Sequence, residues 1–146
     1  MRIAVGSDHA GFALKEHVRA ALAAAGHEVV DVGTTSDASV DYPEFAADAA
    51  GLVASGDADR AVIACGSGNG VAIVANKVAG VRAVNAHDAE EAEMARRHNA
   101  INVLTLSGSR LAPEDADAIV TAFLDTDAEG GRHARRVGQI DALDRG

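Results

Sequence analysis

The sequence is poor in aromatic residues, proline and cysteine, and each shortage narrows the possible architectures. Aromatic residues make up 3% of the 146 residues, so a core must be built from the aliphatic residues that dominate the 48% hydrophobic content. Such a core suits helices packed on a buried sheet. With two prolines and no low-complexity linker, the pattern predicts one domain over residues 1–146.

The single cysteine excludes an intrachain disulfide. No apolar run approaches the roughly 20 residues that cross a membrane, and the first residues read as a strand, without the pattern of a signal peptide. The sequence therefore predicts a cytoplasmic protein. Its formal net charge of −9 argues against nucleic acid or an anionic membrane as a partner. An anionic ligand would need a local cluster of cations.

Short β-branched runs alternate with alanine-rich amphipathic stretches along the chain. The predicted strands are 2–5, 28–32, 60–64, 81–85 and 102–106. The predicted helices are 12–25, 43–54, one ending near 77, 88–98 and 113–124, with a basic helical tail over about 131–146. This alternation predicts right-handed βαβ units, an α/β fold and a mainly parallel five-stranded sheet.

Parallel sheets of this kind bind ligands beyond the carboxyl ends of their strands. The residues expected there are Asp8-His9, Tyr42 after a polar loop, Cys65 with the glycine-rich loop that follows it, and the segment leading to Arg110. The sequence therefore predicts a ligand site at this edge of the sheet.

Cys65 is the strongest candidate for chemistry. An isolated cysteine is usually a small buried hydrophobic residue. This one ends a predicted strand and precedes Gly66-Ser67-Gly68-Asn69-Gly70, where free N–H groups and the positive end of a helix dipole stabilise a thiolate. A thiolate at neutral pH can act as a base or a nucleophile.

The sequence of the loop over residues 66–70 does not match the motifs of three familiar kinds of binding or catalytic site. A Walker loop requires Gly-Lys-Ser/Thr, but Val71 follows Gly70. The third glycine comes one residue too early for the dinucleotide fingerprint. A cysteine phosphatase loop would need an arginine where Val71 stands. A loop that stabilises an oxyanion or enediolate remains open, as does a simple turn.

Basic and histidine residues outside this edge of the sheet could have either a structural or a ligand-binding role. His98-Asn99 ends a predicted helix, where a cation is favourable in itself. Arg132 and Arg136 share one face of a helical tail, which is either a solvated face or a phosphate site. The spacing of the remaining histidines, with no second cysteine, predicts no metal.

Several short motifs occur in an order that resembles the type B ribose-5-phosphate isomerases and the galactose-6-phosphate isomerase subunits. These motifs are Gly6-Ser7-Asp8-His9-Ala10-Gly11, Asp41-Tyr42-Pro43, Cys65-Gly66-Ser67-Gly68-Asn69-Gly70, Ala75-Asn76-Lys77, Arg97-His98-Asn99 and Gly131-Arg132-His133. Each motif alone is weak, but the ordered set is specific and covers essentially the whole chain.

The resemblance implies a Rossmann-like three-layer α/β/α fold, a homodimer or dimer of dimers with shared active sites, no cofactor and a small phosphorylated sugar as substrate. It implies that Cys65 removes the carbon-bound proton and that Ser67 holds the enediolate. It further implies that His98 of a neighbouring subunit assists ring opening. The substrate-binding residues that it implies are Asp8, His9, Tyr42, Gly66, Gly68, Asn69, Gly70, Asn99, Arg110, Arg132 and Arg136, of which His9 and the three arginines would bind the phosphate. The tail would contribute to the phosphate site or the dimer interface.

The sequence also departs from the family pattern. Some members have no such cysteine and use a glutamate at the position of Val71, so Cys65 places this chain on the thiol branch, although Asn69 is more usual on the other. The stretch from Asn99 to Arg110 is one residue longer than usual, around Ser107-Gly108.

The expected reaction is the interconversion of ribose 5-phosphate and ribulose 5-phosphate through an enediolate. A tetrulose phosphate or a hexose 6-phosphate is the alternative substrate. A non-catalytic nucleotide- or phosphate-binding module is the alternative of another class, since fold alone permits it.

Overall fold

The computed structural model describes residues 1–144, so the last two residues of the predicted tail and domain lie outside the described residues. The strands are β1 (Arg2–Ser7), β2 (Glu28–Asp31), β3 (Arg60–Cys65), β4 (Ala83–Asn85) and β5 (Val103–Ser107). The helices are α1 (Phe12–Ala24), α2 (Tyr42–Ser55), α3 (Asn69–Ala75), α4 (Ala89–Asn99), α5 (Pro113–Asp125) and α6 (Arg132–Asp141). None of these helices is long and apolar enough to cross a membrane.

The five strands form one parallel sheet in the order β2-β1-β3-β5-β4. β1 pairs with β2 on one side and with β3 on the other, so the direction of winding reverses between β1 and β3. The carboxyl ends of strands at such a reversal diverge into a crevice, where ligands bind in open α/β sheets. Asp8 and Cys65 lie at this point.

The helices cover both faces of the sheet, which confirms the predicted three-layer α/β/α fold. Helices α1, α4 and α5 pack on one face around Phe123, Leu104 and Leu106. Helices α2 and α3 pack on the other face around small residues, such as Ala46, Ala49 and Ala50 of α2. Because these side chains are short, α2 approaches the sheet closely beside the strand that carries Cys65.

Most element boundaries ahead of the tail lie within one residue of those predicted, and three differ by two residues. β1 continues through Gly6 to Ser7, because Gly6 and Ser7 pair with Ile63 and Ala64 of β3. β4 begins two residues later than predicted, because Val81 closes a turn onto the carbonyl of Val78. α3 ends at Ala75, where the Asn76 amide bonds both backbone groups of Ala83 and joins the helix end to β4.

Gly11 is fixed by packing, and this predicts a stability difference between two glycines. A Cβ at Gly11 would overlap the carbonyl group of Ala64, whereas a Cβ at Gly51, inside α2, would meet nothing. We expect Gly11→Ala to lower the free energy of unfolding by about 1–3 kcal/mol or more, as overpacking against backbone does. Gly51→Ala should raise it by about 0.5–1 kcal/mol. Urea denaturation at one protein concentration measures both values, and a Gly11→Ala protein as stable as the wild type would contradict this packing.

Candidate active site

Cys65 lies at the carboxyl end of β3, and its thiol points toward the loop that follows. The residue is 5% exposed, and its Sγ accepts a hydrogen bond from the Gly68 N–H at 3.2 Å. Gly68 has a φ of +79°, which favours glycine and turns this N–H back onto the sulfur. The thiol is thus held against the start of α3, as the sequence predicts.

The glycine-rich loop between β3 and α3 is anchored from the sheet. Its carbonyl groups accept hydrogen bonds from the side chains of Ser107 and Thr105 of β5 and Asn85 of β4. Ser67 and Asn69 are exposed at its tip, and Ser67 Oγ accepts the Asn69 N–H at 3.1 Å. The motifs do not identify these donors, although Thr105 and Ser107, as polar residues inside a buried apolar strand, are a usable signal.

Asp8 and His9 follow the neighbouring strand, β1. The buried Asp8 carboxylate accepts the Gly11 N–H at 3.0 Å. Nδ1 of His9 lies 3.2 Å from both the backbone N and O of Val40. If Nδ1 accepts the Val40 N–H, Nε2 carries the hydrogen and can donate it to a ligand.

Tyr42 begins α2 and lies against the loop. Its ring packs on Gly70, where a Cβ would come within 2.5 Å of the ring Cζ and 2.7 Å of the hydroxyl oxygen. A larger residue at position 70 would therefore displace the ring. Arg110 follows β5 at the same edge of the sheet and is exposed.

A buried lysine, which the sequence analysis missed, secures the loop between β2 and α2. Lys15 is 3% exposed, and its Nζ forms an ion pair with Asp31 at 2.9 Å and donates to the carbonyl of Thr34 at 2.8 Å. This loop also carries Val40, the partner of His9. Lys15 thus anchors the first part of the loop, and His9 contacts its last part.

The other predicted site residues lie at the opposite end of the sheet. His98 and Asn99 end α4, immediately before the amino end of β5, where Asn102 O accepts the N–H of Ala61. Arg132 and Arg136 are exposed on α6. This helix is tied to the amino end of β4, because Asp141 forms a 2.9 Å ion pair with Arg82. A six-residue strand separates the two ends by about 15 Å. One protomer therefore does not bring these four residues to Cys65.

His98 belongs to a cluster that the sequence spacing did not reveal. Its ring stacks on His133 of α6, with centroids 4.1 Å apart and planes within 10°. Glu129 lies 3.7 Å from Nε2 of His98 and 3.9 Å from Nε2 of His133. Burial lowers the pKa of His133, and electrostatic repulsion from His98 and Arg132 lowers it further, so its neutral form is favoured.

The three possible ligand atoms of this cluster lie within 4.8 Å of one another, a spacing that could hold a metal ion. The histidine lone pairs lie in the ring planes, and the two planes are stacked almost parallel. The lone pairs therefore do not converge on one point, and the arrangement is that of a stacked pair.

Comparison with known proteins gives one consistent result. A model of the family described as Ribose/Galactose Isomerase matches residues 3–140. Ribose-5-phosphate isomerase B of Escherichia coli is 43% identical over 143 residues, which cover 98% of this chain and 96% of that protein.

Two solved structures support the same likeness. Ribose-5-phosphate isomerase B of Clostridium thermocellum has a TM-score of 0.97 and 42% identity, covering 99% of this chain and 97% of that one. The Mycoplasma genitalium protein of the same name was solved with bound ribulose-5-phosphate. It has a TM-score of 0.93 and 39% identity, covering 98% of this chain and 95% of that one.

The contact between Tyr42 and Gly70 can be tested without a substrate. Tyr42 is the only tyrosine and there is no tryptophan, so protein fluorescence reports on this ring alone. Gly70→Ala should push the ring into solvent and increase quenching of its emission by acrylamide. Gly51→Ala, a glycine in the same helix as Tyr42 but with nothing nearby, is the control and should leave quenching unchanged. Equal quenching in Gly70→Ala and the wild type would contradict the contact.

Proposed function

The chain belongs to the ribose/galactose isomerase family, and on that premise we propose that it interconverts ribose 5-phosphate and ribulose 5-phosphate with Cys65 as the base. The observation that carries this proposal is the full-length likeness to ribose-5-phosphate isomerases B, one of them solved with ribulose-5-phosphate. The chain is a sugar-phosphate isomerase. These relatives favour neither a four- or six-carbon sugar phosphate nor a non-catalytic binding module.

The reaction moves one proton between neighbouring carbons. The Cys65 thiolate removes the proton from C2 of the open-chain aldose, and the C2–H electrons form the double bond of an enediolate. As that double bond forms, the electrons of the C1 carbonyl move onto O1, and the proton of the C2 hydroxyl passes from O2 to O1. The thiol then returns a proton to C1, the electrons on O2 form the C2 ketone, and the thiolate is restored. Placement of Cys65 at the strand reversal, beneath a loop with free N–H groups, supports this role.

The loop supplies stabilisation for the negative oxygen of the enediolate. The N–H groups of Ser67 and Gly70 have no acceptor among residues 1–144. Donors held in place before the reaction stabilise developing charge without reorganising. Asp8 and Tyr42, beside the loop, are suited to bind the sugar hydroxyls.

The phosphate needs cations that are not already neutralised. Arg110, Arg132 and Arg136 have no ion-pair partner in the described part of the chain and are exposed. In a chain of net charge −9, exposed guanidinium groups without an ion pair are candidates for the phosphate, and the family resemblance selects these three. His9 completes this set at the carboxyl edge.

The proposed site needs a second copy of the chain. His98, Asn99, Arg132 and Arg136 lie at the other end of the sheet from Cys65. A two-fold partner can present its own copies of these residues to each site, because an isologous interface is reciprocal. Exposed apolar side chains on α3 and α6, such as Ile73 and Ile140, are available for that contact. We therefore propose a homodimer or dimer of dimers. We also propose a cytoplasmic location, as the sequence predicts.

Removal of the base tests the catalytic assignment. Cys65→Ala should lower kcat for ribose 5-phosphate by about a hundredfold to ten-thousandfold, as loss of a general base does. Binding of the sugar phosphate, measured by calorimetry, should remain, because the thiol is not among the groups proposed to hold the phosphate. The wild type should prefer the five-carbon substrate over four- and six-carbon aldose phosphates. Near-normal turnover in Cys65→Ala would refute the role of the thiol, and a better four- or six-carbon substrate would refute the assigned sugar.

Subunit complementation tests the shared site. Cys65→Ala and His98→Ala proteins should each have little activity, but mixing them under conditions that exchange subunits should restore it. In a hybrid dimer one of the two sites has both groups, so its activity should approach half that of the wild type. The control mixes the Cys65→Ala protein with a Cys65→Ala, His98→Ala double variant, which cannot form an intact site. Verified exchange without recovery would show that the site is not shared.

A further inference from the structure

Three consecutive carbonyl groups after Cys65 are each held by a side chain from β5 or β4. The Ser107 hydroxyl donates to Gly66 O at 2.6 Å, and the Asn85 amide donates to Ser67 O at 3.1 Å. The Thr105 hydroxyl donates to Gly68 O at 2.8 Å. We refer to Ser107, Asn85 and Thr105 as the loop donors.

The register of the sheet brings the loop donors together. Ser107 pairs directly with Cys65, and Asn85 pairs with Thr105. Paired residues of a parallel sheet, and residues two apart on one strand, project from the same face. The donors therefore share the face of the sheet on which Cys65 lies. Thr105 and Ser107 are at most 1% exposed, so their hydroxyls are committed to the loop.

Holding the carbonyl groups also fixes the N–H groups. In a trans peptide the C=O of one residue and the N–H of the next point in opposite directions. The N–H groups opposite the three carbonyls belong to Ser67, Gly68 and Asn69. The first has no acceptor among residues 1–144, the second donates to Sγ of Cys65 and the third to Oγ of Ser67.

We propose that the loop donors are positioning residues that act through the backbone of the loop on the Cys65 thiolate and on the enediolate-binding N–H of Ser67. The donors do not touch the substrate. By fixing the carbonyl group of each peptide, they orient the N–H group of the same peptide toward the reacting groups. This proposal rests on the proposed function for its kinetic consequence only.

Asn85 contributes most to this arrangement, because it contacts the loop at three points. Its Nδ2 also donates to Oδ1 of Asn69 at 2.8 Å, and these two acceptors settle the orientation of its amide. Its Oδ1 is buried without a hydrogen-bond partner and lies against Gly68, where a Cβ would overlap it. Asn85 thus holds the peptide between Ser67 and Gly68, whose N–H donates to the sulfur.

The test measures the thiolate directly. Its ultraviolet absorbance is titrated with pH in each variant, with the corresponding Cys65→Ala protein subtracted. Asn85→Ala and Thr105→Val should move the midpoint to higher pH by about half to one unit, the effect of losing about one ordinary hydrogen bond. Thr105→Ser retains the hydroxyl and should restore the wild-type midpoint. In the isomerase assay, kcat should fall about three- to tenfold with little change in KM.

A matched control separates positioning from general stability. Asn102 also makes two side-chain hydrogen bonds to backbone, at the amino end of β5, so Asn102→Ala should destabilise the protein without moving the midpoint. The proposal is wrong if Asn102→Ala shifts the midpoint as far as Asn85→Ala, or if Thr105→Val and Asn85→Ala leave it unchanged. The titration requires no substrate. If the variants shift the midpoint but the wild type has no isomerase activity, the result would support the positioning role of the loop donors and contradict the proposed function.

Discussion

Close contact between backbone segments at the carboxyl ends of β1, β3 and β5 places the thiol and the loop around it. The start of α1 lies directly on the end of β3, because Gly11 has no side chain to separate it from the carbonyl of Ala64. A Cβ at Gly108, after β5, would come within 2.6 Å of Ala10 O, and its N–H donates to Cys65 O at 2.8 Å. Three chain segments distant in sequence thus meet around one residue, and protein interiors at this packing density transmit even small shifts. Gly11, the last residue of the first glycine-containing motif, is explained by this packing.

The length of the sheet separates the remaining site residues from Cys65. Helices of a parallel sheet run back toward the amino ends of the strands, so a residue at the end of α4 lies far from the carboxyl edge. His98 and the arginines of α6 therefore share one end of the molecule, while Cys65 and Asp8 share the other. A second chain with the opposite orientation can close this distance, which makes assembly part of the proposed chemistry.

The cationic side chains are of two kinds: some bind structural partners within the protein, and others are exposed and free to bind a ligand. Arg96 donates to the carbonyls of Thr126 and Ile101, and Arg60 to those of Phe123 and Leu124. Burial lowers the pKa of both guanidinium groups, and the carbonyl groups compensate for lost water. Lys15 is neutralised by Asp31. The exposed arginines at positions 110, 132 and 136 are free of such roles among residues 1–144, which is what an anionic substrate requires.

The class of fold follows from the sequence alone, because β-branched and alanine-rich stretches alternate without interruption. The spacing of apolar residues in each stretch matches either a strand or a helix. The sequence also placed Cys65 and the loop at the edge where ligands bind, since that edge follows from parallel strand order. It did not reveal the role of Thr105, Ser107 and Asn85, because their partners are backbone carbonyls 18 to 41 residues away. That His98 lies away from Cys65 already follows from the return of α4 across a parallel sheet. Only the tertiary structure decided that His98 stacks on His133. Sequence spacing describes neighbours along one element, whereas these distances depend on the direction in which each helix returns across the sheet.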